Sequence, residues 1–74
     1  MAVNDGSNGY HSSYGVGYDE GVAVRGVGQV ISPRQLPSWA EAYRRINFPG
    51  EARSEFVRGF VDGYLGHPYR PPKS

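Results

Sequence analysis

The segment Glu51-Ala52-Arg53-Ser54-Glu55-Phe56-Val57-Arg58-Gly59-Phe60-Val61-Asp62-Gly63-Tyr64-Leu65 decides the reading of this chain. At the helical pitch its apolar and glycine positions spread over about 240° of the wheel, leaving Glu51, Glu55, Arg58 and Asp62 as the polar strip. Glu51 and Glu55 suit the positive end of a helix. Gly66 is placed to end it in a left-handed conformation, and Pro68 prevents continuation. The spacing therefore predicts a helix over 51–65. An apolar arc that wide belongs to the central post of a small fold, or to a helix that also meets a partner.

Immediately upstream, Asn47-Phe48-Pro49-Gly50 reads as a turn. Before it, Ser38 with Glu41 three residues later has the form of a capping box. Trp39, Ala42, Tyr43 and Ile46 fall on one face of a helix over 38–47, and Glu41 and Arg45 form an i,i+4 pair on another. Ser32-Pro33-Arg34-Gln35 fits a single helical turn started by Ser32 and stopped by Pro37. The stretch 12–31 is mixed. Tyr14, Gly17, Tyr18 and Gly21 have helical spacing, whereas Val22, Val24, Val27, Val30 and Ile31 are β-branched. It reads as a marginal helix over 12–24 followed by an extended segment. The fold class expected is mostly α. A two-helix nucleus (38–47 and 51–65) would carry a loosely held N-terminal half (12–31), within a single domain over 12–66. Residues 1–11 and the Pro-rich 67–74 read as flexible tails.

Composition narrows the function classes. The chain has 74 residues, 11 of them Gly and 6 Pro, and no Cys. It has room for one small core and no disulfide or thiolate metal site to staple it. Net charge is only +1, so a tail that coats nucleic acid is excluded. Residues 1–31 hold Arg25 against Asp5, Asp19 and Glu20, while the basic excess lies in 32–74. No apolar run reaches the roughly 18 residues of a membrane span, and Met1 to Tyr10 has no signal-peptide pattern. The expected location is the cytoplasm.

An internal repeat stands out. Tyr14-Gly15-Val16-Gly17-Tyr18-Asp19-Glu20-Gly21 aligns with Phe56-Val57-Arg58-Gly59-Phe60-Val61-Asp62-Gly63 as aromatic, x, x, Gly, aromatic, x, acid, Gly. Each interior glycine costs a helix roughly 1 kcal/mol against alanine, so four of them require a reason. Close packing of the two segments against each other is the first reason; a flat shaped for a partner is the other.

The segments Gly17-Tyr18-Asp19-Glu20-Gly21 and Phe56-Val57-Arg58-Gly59-Phe60 resemble the ribosome modulation factor family of short two-helix proteins. That resemblance implies binding to ribosomal RNA and silencing of translation. It covers about a third of the chain. The chain departs from the family in its longer insert, which holds a helix of its own, and in its lack of strong basicity. In size, lack of Cys and single-domain character, the chain is also similar to small phage-encoded proteins that bind host RNA polymerase and redirect transcription.

Nothing in the sequence has the form of a catalytic site. His11 and His67 do not share a metal-ligand spacing, no serine sits in a nucleophile elbow, and Gly15, Gly17 and Gly21 follow no strand that would make a dinucleotide loop. The chain reads as a non-enzyme without catalytic residues, cofactor, metal or small-molecule substrate. The residues expected to bind a partner are Arg34, Arg44, Arg45, Arg53, Arg58, Tyr69 and Arg70, because arginine's donor fork and stacking favour it in interfaces. Arg53 projects into the apolar arc of its helix, where it would snorkel or reach an acidic partner. The expected partner is a host machine, RNA polymerase ahead of the ribosome, in the host cytoplasm if the chain is phage-encoded. A helix–turn–helix over 38–65 is a further alternative. The acidic strip of 51–65 opposes it, so direct nucleic-acid contact is secondary.

Overall fold

A computed structural model describes residues 12–71; the expected tail over 1–11 and the last residues, 72–74, lie outside the described part. Three helices form in order: α1 (Ser13–Gly26), α2 (Leu36–Asn47) and α3 (Arg53–Leu65). Among the described residues there is no strand, and the mostly α class is as expected.

Helix α1 is stopped at both ends by specific chemistry. The Ser12 side chain accepts the Gly15 N–H at 3.0 Å. At the other end Gly28 takes a positive φ of 85°. The Gly28 N–H then reaches the Arg25 carbonyl at 2.9 Å and the Gln29 N–H reaches that of Val24 at 3.3 Å. Helix α3 ends in the same motif. Gly66 has a φ of 77°, with Gly66 N–H to Gly63 at 3.2 Å and His67 N–H to Asp62 at 2.8 Å. The stretch 12–31 is thus a full helix followed by an extended segment. That segment is tied to α3 by Tyr64, whose hydroxyl donates to the Gln29 carbonyl at 2.5 Å and accepts the Ile31 N–H at 2.9 Å.

Helix α2 begins two residues before its expected start. Its N-cap is Gln35, and Ser38 lies inside the first turn with no capping bond. Pro37 opens this helix instead of blocking it: in the first turn a missing N–H removes no hydrogen bond, and the ring's fixed φ is already helical. Ser32 still closes a turn ahead of it, accepting the Gln35 N–H on its carbonyl at 3.0 Å. Helix α3 starts two residues after its expected start, and Glu51 precedes it.

The buried line of α2 also differs from the face read in the sequence. Leu36 and Ala40 enter the core with Val24, Ile31, Phe56, Phe60 and Tyr64; Trp39 and Tyr43 pack on its edge. Ile46, expected on the buried face, is 78 % exposed.

The N-terminal half is not loosely held. Helix α1 is the closest neighbour of α3, and the glycines of the repeat are the reason. A methyl added at Gly17 would lie within 3.0 Å of the Phe56 carbonyl, and one at Gly21 equally close to that of Phe60. Reciprocally, Gly59 faces the carbonyl of Tyr14 and Gly63 that of Tyr18. Contact positions rise together along both helices, so α1 and α3 run parallel. Each glycine of one repeat meets the aromatic residue's backbone in the other, a local two-fold relation like that of a dimer interface. Helix α2 returns the chain between them, antiparallel to α3, with Phe48 on Phe56 and Tyr43 on Phe60.

Parallel helices bring like ends of their dipoles together. Glu51 sits at the paired N-termini, accepting from the Ser13 hydroxyl at 2.9 Å, while that hydroxyl accepts the Ala52 N–H at 2.7 Å. At the paired C-termini Arg25 donates to the Tyr64 carbonyl at 3.1 Å and lies over the Tyr64 ring. Each end therefore carries a charge of the sign that offsets the alignment.

Candidate functional site

The residues expected to bind a partner fall into separate places. Arg34 is exposed in the turn before α2. Arg44 is consumed by the fold. Its side chain is 12 % exposed, and it grips Glu41 with both arms, Nε to Oε1 at 2.9 Å and Nη2 to Oε2 at 3.0 Å. Its remaining nitrogen donates to the carbonyls of Glu51 at 3.0 Å and Pro49 at 3.3 Å, closing the α2–α3 turn. The hydrogen bond from Arg44 holds the Glu41 carboxyl below the usual carboxylate range, against an opposing effect of partial burial.

Tyr69 and Arg70 lie on the opposite side of the molecule. The segment from His67 to Pro71, expected as part of a flexible tail, runs along α1. The Tyr69 ring stands edge-on to Tyr14 and Tyr18, with centroids at 5.4 and 4.9 Å. The Arg70 N–H reaches the Tyr14 hydroxyl at 3.1 Å, and the Tyr18 hydroxyl donates to the His67 carbonyl. Tyr14 in turn donates to Asp62 at 2.6 Å. Burial, then that bond to Asp62, raises the Tyr14 phenol above its ordinary value. For Asp62 partial burial acts upward, but the hydrogen bonds from Tyr14 and His67 and nearby positive charge outweigh it and lower its pKa. Asp62, expected on the solvent strip, is thus part of a latch between α1, α3 and the strap that follows.

Arg45, Arg53 and Arg58 are brought together. With Pro37, Ser38, Glu41, Ser54 and Val57 they line an open groove of 540 Å³ between α2 and α3. Arg53 Nε lies 3.7 Å from the Glu41 carboxylate of this chain, and Arg45 Nε is 3.9 Å from the same group. Both distances exceed those of a hydrogen bond.

On the far flank of α2 lies an apolar hollow of 180 Å³ bounded by Trp39, Ala42, Tyr43, Ile46 and Asn47. Trp39 and Tyr43 stack with centroids 5.5 Å apart and planes 17° apart. The sequence places Trp39, Ala42, Tyr43 and Ile46 on one helix face; in the structure the inward line runs through Leu36, Ala40 and Tyr43 and leaves Ile46 outside. Among the described residues no three His, Cys, Asp or Glu side chains converge as a metal ion requires, and no helix is long and apolar enough to cross a membrane. No protein-family model, curated protein or solved structure matches the chain.

Proposed function

We propose that this chain is a small non-enzymatic regulator that docks on a large machine of its host cell. RNA polymerase is the first candidate, bound in the manner of small phage-encoded regulators of transcription. The observation that carries the reading is the outer flank of α2, where Ile46 is 78 % exposed beside the stacked Trp39 and Tyr43. An isoleucine left in water forgoes roughly 1.5–3 kcal/mol of burial, which a partner can recover. Trp and Tyr around an apolar centre are among the residue types that dominate protein interfaces. On this reading the protein acts in the host cytoplasm, by covering a surface of the polymerase or holding one of its conformations.

The ribosome is the second reading. What supports it is that the residues carrying the ribosome modulation factor resemblance, Gly17 to Gly21 and Phe56 to Phe60, form one paired helical unit. The helix–turn–helix alternative gains no such support. Helix α3 packs against both α1 and α2, and its exposed residues mix Glu55 with Arg53 and Arg58 rather than presenting a uniformly basic and amide face to a groove.

The test is binding of the full chain to purified bacterial RNA polymerase and, separately, to purified ribosomes, each with an Ile46→Glu variant as control. Saturable binding to polymerase that the variant reduces at least about tenfold supports the first reading. The same pattern on ribosomes alone transfers it to the second. Binding to neither overturns both.

A further inference from the structure

We propose that the groove between α2 and α3 binds the phosphate backbone of a single-stranded polynucleotide. The site is separate from the apolar flank of α2, and the proposal does not depend on the docking reading above.

The charge in the groove is unbalanced in a specific way. Three guanidiniums, those of Arg44, Arg45 and Arg53, lie within 3.9 Å of the Glu41 carboxylate, and Arg44 already occupies both of its oxygens. Arg45 and Arg53 are drawn toward Glu41 but stop at 3.9 and 3.7 Å, so their donor forks are not consumed by it. Arg58 has Glu55 three residues before it and Asp62 four after it on α3; the Asp62 oxygens are held by Tyr14 and His67, and neither acid forms an ion pair with Arg58. Arg45, Arg53 and Arg58 therefore line an open channel with unspent donors. Arg45 and Arg53 are 67 % and 74 % exposed, so no folding role accounts for them.

The arrangement fits a strand better than a lone ion. Arg53 and Arg58 are five residues apart on α3, a rise of about 7.5 Å, so they meet successive anions along a chain. Arginine's planar fork matches phosphate oxygens two at a time. The walls add the Ser38 and Ser54 hydroxyls, and Val57 supplies an apolar lining. A basic channel that follows a backbone is the usual means of holding single strands without regard to sequence.

The experiment uses the full chain and a fluorescein-labelled oligouridine of about 15 nucleotides, within the span such channels cover. Anisotropy is followed from about 50 to 200 mM salt. Three phosphate contacts predict a log–log salt slope near −2, from about −0.7 per contact on a single strand. The triple variant Arg45→Gln, Arg53→Gln, Arg58→Gln is expected to weaken binding at least about tenfold and to flatten most of that slope. Replacing the same three residues by Lys is expected to keep the slope. Arg34→Gln, outside the groove, is expected to change neither quantity appreciably. Circular dichroism of each variant checks that the helices are retained. Absence of binding at low salt overturns the proposal. So does a triple Gln variant that binds as tightly as the parent, or an Arg34→Gln loss equal to that of the groove residues. If a poly-glutamate peptide displaces the oligonucleotide at equal concentration of charge, the groove is a site for acidic protein segments and the proposal fails.

Discussion

Toward α1, helix α3 presents Gly59 and Gly63 and receives the backbone of Tyr14 and Tyr18. Toward α2 it presents Phe60 and receives the rings of Trp39 and Tyr43. The first contact is backbone on backbone and has no flexible part. The second is side chain on side chain, and such contacts can shift by rotamer changes when a residue is altered. The first therefore fixes the frame of the molecule. The second tolerates an open groove on one flank and an exposed isoleucine on the other. Rigidity and available surface are divided between the two sides of one helix.

The sharpest way to break this comparison is to put a methyl group into the glycine seam. In Gly59→Ala the new Cβ meets the Tyr14 carbonyl, a backbone atom that cannot rotate away. Overpacking of a core ordinarily costs up to about 3 kcal/mol, and a clash with backbone belongs at the upper end. The double variant Gly59→Ala, Gly63→Ala then removes most or all of the stability of so small a domain. Urea unfolding followed by circular dichroism measures both. A Gly59→Ala protein with an unchanged midpoint would mean that α1 and α3 are not in backbone contact.

How much of this is legible in the sequence differs between the two sides for physical reasons. The seam can be read because it needs glycine: four costly residues in a shared pattern signal close approach, and Gly66 with Pro68 marks the end of α3. The α2 side is misread from one ambiguous signal. Ser38 and Glu41 satisfy the capping-box spacing, but Pro37 fits a first helical turn equally well, and the helix starts at Leu36. With Leu36 left out of the expected helix, the inward line it makes with Ala40 goes unread, and Ile46 is assigned to the face that packs although it is 78 % exposed. Arg44 cannot be sorted from its neighbours, because two of its acceptors are the backbone carbonyls of Pro49 and Glu51, which no residue type marks. Of the groove, the meeting of Arg53 with Glu41, Arg45 and Arg58 depends on how α2 and α3 pack, which the sequence does not mark.

On the α2 side the corresponding test is Arg44→Met, which keeps an apolar stem and removes the donors. It leaves two carbonyls of the turn without this partner and Glu41 with only the more distant Arg45 and Arg53. Hydrogen bonds from a charged donor are each worth about 1.5–3 kcal/mol, and water at this turn can replace part of them. The expected loss is about 1.5 kcal/mol, roughly half that of one seam alanine. A loss as large as that of Gly59→Ala would mean that the α2–α3 turn, too, is rigid frame.

The finest distinction uses one kind of substitution at two places on a single helix. Gly26 closes α1 but is exposed, has no positive φ, and has no atom within 4 Å of where an added Cβ would stand. Alanine there meets nothing, lowers the entropy of the unfolded chain and favours the helix. Gly26→Ala is therefore expected to raise stability by about 0.5 kcal/mol, seen as a small rise in the urea midpoint. Gly17→Ala, nine residues earlier on the same helix, is expected to lower it, because its methyl meets the Phe56 carbonyl. Opposite signs for the two changes would separate contact with α3 from helix propensity, since propensity alone predicts a gain at both. A loss at Gly26 as well would trace the cost of these alanines to α1 itself and remove the seam as its cause.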